Sequence, residues 1–192
     1  SIGNGAFMNC AKLTGDLDLS TITSIGSSAF AGCTELDGTL YLYKPMRIVS
    51  SNAIIGSSAF SGCRKLKGSL YLNYFNDVQH HAFYDCSGLN GDLTLWSTTS
   101  IGEYTFYRCS GLKGVITTSR RVEKYAFYGC SSLTCKNLIS DSTQYIGEYA
   151  FAGCKGLSGP LEFPGSIYFI GKGAFSGCSG FSDHLSIQVG NT

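Results

Sequence analysis

Residues 25–42 read IGSSAFAGCTELDGTLYL, and the pattern behind them, I-G-x-x-A-F-x-x-C-x-x-L-x-G-x-L-x-L, returns along the whole chain. Aligned on its phenylalanine, it falls at Phe7, Phe30, Phe60, Phe83, Phe106, Phe127, Phe151 and Phe175. The intervals are 23, 30, 23, 23, 21, 24 and 24 residues. A cysteine follows each time: Cys10, Cys33, Cys63, Cys86, Cys109, Cys130, Cys154 and Cys178. Alanine precedes the phenylalanine except at Thr105. A period in the twenties marks a solenoid, because a unit this short cannot bury a core alone and gains one only by stacking on its neighbours.

Spacing inside the unit divides it in two. Ile25, Ala29 and Cys33 stand four apart and Leu36 three further on, the spacing of one face of a short helical or 3₁₀ turn. The period then becomes two at Leu40-Tyr41-Leu42, Leu70-Tyr71-Leu72 and Leu93-Thr94-Leu95, which predicts a short strand with both leucines on one face. Glycines at Gly38, Gly68 and Gly91 mark the bend between the halves. The expected fold class is therefore α/β: a solenoid of about eight repeats, with a parallel sheet on one side and helical or 3₁₀ turns opposite. Repeats begin near Ile2, Ile25, Ile55, Val78, Ile101, Val122, Ile146 and Ile170, in one domain over residues 1–192.

The unit resembles the leucine-rich repeats of BspA-like surface proteins, including the Treponema pallidum type. Both AFxxC and LxGxLxL recur in register over essentially the whole chain. The resemblance implies a leucine-rich repeat fold with its sheet on the concave face. It also implies an extracellular or cell-surface location and a role in adhesion or protein binding. A repeat scaffold shared by many proteins names no site of its own.

Among 192 residues the formal charge is +1, and no basic tract or aromatic-basic ribbon points to nucleic acid. No apolar run is long enough to span a bilayer, so no membrane insertion is expected within this chain. The first residues, Ser1-Ile2-Gly3, already lie inside a repeat, which reads as a fragment of a longer protein whose signal and anchor lie elsewhere. Nine cysteines would suggest disulfides, yet eight of them hold one equivalent position per repeat. They are expected as a column of reduced, buried thiols, because free cysteine behaves as a small hydrophobe. Cys33, Cys63, Cys86, Cys109, Cys130 and Cys154 thus join Phe30, Phe60, Phe83, Phe106, Phe127 and Phe151 as the expected core. Cys135 stands apart, five residues after Cys130, and is open to exposure or to pairing with Cys130.

Several local departures bear on function. A seven-residue excess before the third repeat holds Tyr43-Lys44-Pro45-Met46-Arg47-Ile48-Val49; it reads either as a neutral length change or as a binding loop. In the fourth repeat Gln79-His80-His81 replaces the usual glycine. Asp77, His80 and His81 suggest metal only weakly, since zinc needs three or four convergent ligands and adjacent histidines on a turn diverge. The sixth repeat runs Cys135-Lys136-Asn137-Leu138-Ile139, one residue out of register, where a bulge is expected.

Alternation places the ligand-binding candidates on the concave face: Tyr41, Tyr43, Tyr71, Asn73, Asp92, Thr94 and Trp96. Tyrosine and tryptophan are enriched at interface hot spots. Tyrosine also suits strands, where cross-strand aromatic pairs stabilise the sheet, and both readings stand at this point. Tyr84, Tyr107 and Tyr128 follow the repeat phenylalanine and are expected on the opposite side, in a packing role. No nucleophile–base constellation, phosphate loop or metal ligand set is present, so neither an enzyme nor a cofactor is expected. Two functions follow as expectations: an adhesion module that binds a host or matrix protein or glycan, and a stalk that self-associates end to end through terminal repeats lacking polar caps.

Overall fold

The computed structural model describes residues 1–42, 53–73, 75–95, 100–114, 116, 120–135, 138–182 and 185–188. Among the described residues most turns of the solenoid carry short strands at two places. The Ile-Gly segments form the first ladder: β2 (Ser24–Ile25), β4 (Ile54–Ile55), β6 (Asp77–Val78), β8 (Ser100–Ile101), β9 (Arg121–Val122), β10 (Tyr145–Ile146) and β12 (Phe169–Ile170). The LxL segments form the second: β1 (Leu17–Asp18), β3 (Leu40–Tyr41), β5 (Leu70–Tyr71), β7 (Leu93–Thr94), β11 (Leu161–Phe163) and β13 (Leu185–Ile187). All pairings are parallel, coil to next coil, with like residues opposed: Ile25 to Ile55, Ile55 to Val78, Val122 to Ile146, and Leu17 to Leu40. The first ladder runs as β2-β4-β6 and β8-β9-β10-β12; the second is divided into β1-β3, β5-β7 and β11-β13.

The sequence places Ile25 on a helical turn, whereas it lies in a strand, and no helix of any kind occurs among the described residues. The AFxxC segment is instead a string of linked turns. Ala29, Ala31 and Cys33 donate their N–H groups three residues back, to Gly26, Ser28 and Phe30. The alternate residues Ser28, Phe30 and Gly32 donate outward, to the carbonyls of Ser57, Ala59 and Ser61 in the next coil. An α-helix would hold all of these donors within itself. Here half of them join one coil to the next, so this side is a hydrogen-bonded ladder too. Ser28 (φ 55°) and Gly32 (φ 74°) sit in the left-handed region, which a right-handed helix cannot pass through.

Spacing gives a second reason for the missing helices. Successive core phenylalanine rings lie 5.0–5.6 Å apart from Phe7 to Phe175. Strands in a sheet lie about 4.8 Å apart, and a helix with its side chains is about 10 Å across. Coils stacked at the strand spacing leave room for a turn but not for a helix. Rings on the outer surface of the turn side are likewise only 4.9–5.2 Å apart. The glycine after each isoleucine follows from the same closeness: a Cβ on Gly56 would stand 2.5 Å from the Ser27 nitrogen of the preceding coil.

The core is the expected one. Phe30, Phe60, Phe83, Phe106, Phe127 and Phe151 are buried, as are Cys33, Cys63, Cys86, Cys109, Cys130 and Cys154. All nine cysteines are free thiols, and Cys135 is neither exposed nor paired with Cys130: it is buried and donates to the Ser158 carbonyl at 3.3 Å. The column opens at its ends, where Cys10 and Phe7 are exposed and Cys178 is half-buried. Thr105 fits the alanine position because its buried hydroxyl donates to the Gly102 carbonyl at 2.8 Å. The insertion at 43–49 and the expected bulge at Lys136 and Asn137 lie outside the described residues.

Candidate functional site

On the LxL side the strand alternation behaves as expected. Leu40, Leu42, Leu70 and Leu72 point into the core, while Tyr41 and Tyr71 remain 46% and 40% exposed. Between β3 and β5 the sheet is interrupted. In place of a Leu40–Leu70 pairing, the link is a bridge from Thr39 to Lys67, with Leu40 N–H donating to the Lys67 carbonyl at 3.0 Å. Gly68 (φ 105°) turns the chain at this point, a conformation open mainly to glycine. The interruption leaves a shallow cleft of about 220 Å³, lined by Thr39, Leu40, Tyr41, Leu42, Gly68, Ser69 and Tyr71. Asp18 pairs in register with Tyr41; Ser20 hydrogen bonds hold its carboxyl below the usual range, so an anion stands beside the ring.

Of the other candidates, Thr94 lies opposite Tyr71 in register, half-buried, and its Oγ1 finds no hydrogen-bond partner among the described residues. Asp92 is exposed, Asn73 is half-buried, and neither lines the cleft. Tyr43 and Trp96 lie outside the described residues. The structure thus brings Tyr41 and Tyr71 together and leaves Asn73, Asp92 and Thr94 beside them rather than within one pocket.

The turn side holds more than the sequence suggests. Tyr84, Tyr107 and Tyr128 stack at 4.9 and 5.0 Å. Beside them runs a second column that the sequence reading passes over: His81, Tyr104, Tyr125 and Tyr149, stacked at 4.9, 4.9 and 5.2 Å. All seven rings are half-buried. Their spacing in the sequence, two positions before the repeat phenylalanine in one column and the position after it in the other, is the signal that identifies them. His81, Tyr104, Tyr125 and Tyr149 all have φ between 53° and 59°, an uncommon conformation for bulky residues.

The first ladder carries a third group. The Arg121 guanidinium lies 4.3 Å from the Tyr145 ring centroid and donates to Glu123 at 3.0 Å and to the Tyr168 hydroxyl. Nearby, a polar cleft of about 340 Å³ is lined by residues that include Asp77, Gln79, His80 and Glu123. His80 Nδ1 accepts from the Glu103 N–H at 3.0 Å, while His81 stacks on Tyr104, so the two histidines diverge. Among the described residues no three His, Cys, Asp or Glu side chains are placed to share a metal ion, and no helix is long and apolar enough to cross a membrane.

A sequence model of the BspA type leucine rich repeat region matches residues 1–134, 42–158 and 120–189, in six copies. Two solved structures are similar. One is a leucine rich cell surface protein from Faecalibacterium prausnitzii, with a TM-score of 0.66 and 22% identity. The match covers 96% of this chain and 59% of that protein, so the chain spans less than two thirds of its relative's length. The other is a leucine rich repeat protein of T. pallidum, with a TM-score of 0.63 and 25% identity, over 88% of this chain and 78% of that one. None of the curated proteins matches the chain.

Proposed function

Because the chain belongs to the BspA-type leucine-rich repeat family, we propose that it is a protein-interaction module displayed at a cell surface, an adhesion domain of about eight coils that engages a host or matrix protein through its LxL face. The observation that carries this reading is the pair of exposed tyrosines, Tyr41 and Tyr71, on either side of the cleft where the second ladder is interrupted. A tyrosine offers a large, rigid, amphipathic contact at low entropic cost, and two of them around a recess match the anatomy of an interface hot spot. Asp18, Asn73, Asp92 and Thr94 would form the polar rim, and the sequence alternation adds Tyr43 and Trp96 as candidates. The reading assigns no catalytic residue, cofactor or nucleic acid.

The test is binding of labelled protein to an array of extracellular-matrix proteins, with Tyr41→Ala/Tyr71→Ala alongside. Loss of two such anchors should weaken capture by on the order of tenfold or more while the melting curve stays unchanged. Capture unaffected by the double substitution would remove the site from this face. A second reading, end-to-end self-association into a stalk, is favoured by the apolar side chains of the terminal coils: Leu185 and Ile187 are 63% and 57% exposed on β13, and Met8 is 53% exposed in the first coil.

A further inference from the structure

We propose that the tyrosine strip on the turn side is a second binding surface, and that its occupant is an uncharged, extended β-1,4-linked polysaccharide. Four observations lead there. The rings are not a requirement of the fold, because the same backbone is built without them in neighbouring coils. Where Tyr104, Tyr125 and Tyr149 stand, the second and third coils have Ser28 and Ser58, and the last has Gly173, all with φ of 55–63°. Where Tyr84, Tyr107 and Tyr128 stand, other coils carry Ala31, Ser61, Ala152 and Ser176. The aromatic residues are confined to four consecutive coils, and of them only His81, Tyr104, Tyr125 and Tyr149 sit at the positive-φ position that Ser28, Ser58 and Gly173 fill elsewhere.

The chemistry of the strip narrows the partner. The ring faces are occupied by one another, and Arg108 lies 5.5 Å from the Tyr107 centroid. What remains outward is ring edge and phenolic hydroxyl. Tyr84, Tyr104, Tyr107, Tyr125, Tyr128 and Tyr149 make no hydroxyl hydrogen bond to another described residue, whereas Tyr168 accepts one from Arg121. Each free phenol both donates and accepts, which suits a ligand made of hydroxyls. Charge points the same way. At the margins Asp85 meets Arg64 at 2.7 Å and Lys124 meets Glu148 at 3.1 Å, while Glu103 and Arg108 contribute one charge of each sign. A surface whose charges already cancel offers nothing to an anionic or cationic polymer.

Period supplies the last step. The rungs recur at 4.9–5.2 Å. An extended peptide presents same-face side chains about every 6.7 Å and falls out of step within two rungs. A β-1,4-linked pyranose chain advances by one sugar at close to the rung spacing, so successive sugars meet successive rungs.

The experiment is native affinity electrophoresis through gels containing hydroxyethyl cellulose, a neutral β-1,4-linked glucan. Two quadruple variants are run beside the unmodified chain. One is Tyr104→Ser/Tyr107→Ser/Tyr125→Ser/Tyr128→Ser, using the residue that other coils carry. The other replaces the same four by Phe, which keeps the stacks and removes the hydroxyls. The unmodified chain should be retarded, and both variants should lose at least tenfold in apparent affinity. Tyr41→Ala/Tyr71→Ala should be retarded like the unmodified chain, which separates this surface from the LxL face. Soluble β-1,4 oligosaccharides should compete more strongly with length up to about four sugars. No retardation of the folded chain, equal retardation of the Phe variant, or retardation only by an anionic polymer would overturn the proposal. So would a protein partner that needs these tyrosines while the glucan is ignored.

Discussion

The Phe83 carbonyl accepts two hydrogen bonds, from Cys86 N at 3.3 Å in its own coil and from Cys109 Sγ at 3.0 Å in the next. The same thiol bond recurs from Cys33 to Phe7, Cys63 to Phe30, Cys86 to Phe60, Cys130 to Phe106, Cys154 to Phe127 and Cys178 to Phe151, at 3.0–3.2 Å. Burial pushes these thiols up, Cys63 to about 12 and Cys178 to about 11, so they remain protonated donors at neutral pH. The sequence makes the burial of the column legible but not its reason, since the period shows a small apolar residue and says nothing of a carbonyl one coil away. Alanine at Cys109 removes a buried sulfur and leaves one acceptor bond unmade, an expected cost of about 1–3 kcal/mol. The same substitution at Cys10, an exposed thiol, should change stability by less than about 0.5 kcal/mol. Urea unfolding of the two variants checks this; equal losses would show that the thiol bond contributes nothing.

At the scale of the element, a string of turns stands where the spacing suggests a helix. Residues four apart share a side in both, so Ile25, Ala29 and Cys33 satisfy either reading, and the deciding feature is backbone handedness at Ser28 and Gly32. Serine carries no sign of a positive φ, so the sequence does not decide between the two. The LxL strands, by contrast, were legible in full, because alternation with period two has no competing explanation at Leu40-Tyr41-Leu42. That alternation turns Tyr41 and Tyr71 outward. The cleft does not follow from it, because it arises from an interrupted pairing between coils. The turn string also contains a titrating residue. Burial, then the neighbouring His80, lower the proton affinity of His81, while Glu103 opposes them; Tyr84 and Tyr104 pack against its ring. The folded state therefore favours neutral imidazole. Unfolded His81, with a pKa of about 6.5, takes up its proton first as pH falls. Its contribution is complete above that value and is lost progressively below it, until the folded imidazole protonates too. Melting temperature should drop between pH 7.5 and 5.5, and drop less in His81→Ser. An equal drop in both would place the sensitivity elsewhere.

For the whole molecule, the stacking that builds the core also defines its two faces of greatest exposure. Every interior coil has its phenylalanine covered on both sides, and Phe30 through Phe151 are buried accordingly. Phe7 has a neighbour on one side and is 42% exposed, while at the other extreme Phe169 and Ile170 are 41% and 38% exposed. β13 pairs with β11 alone, which leaves the other edge of Leu185–Ile187 with free backbone donors and acceptors among the described residues. An unpaired, apolar strand edge is a template for another parallel strand, and under the stalk reading its occupant is the first coil of a second copy. Such contact is heterologous, so it propagates rather than closing into a dimer. Sedimentation velocity over a rising concentration series should therefore show a growing distribution of species. Ile187→Lys, a charge on the core-facing side of the terminal strand, where a further coil would stack, should return the chain to monomer at every concentration. If the unmodified protein sediments as a single monomer at the highest concentration, the stalk reading fails.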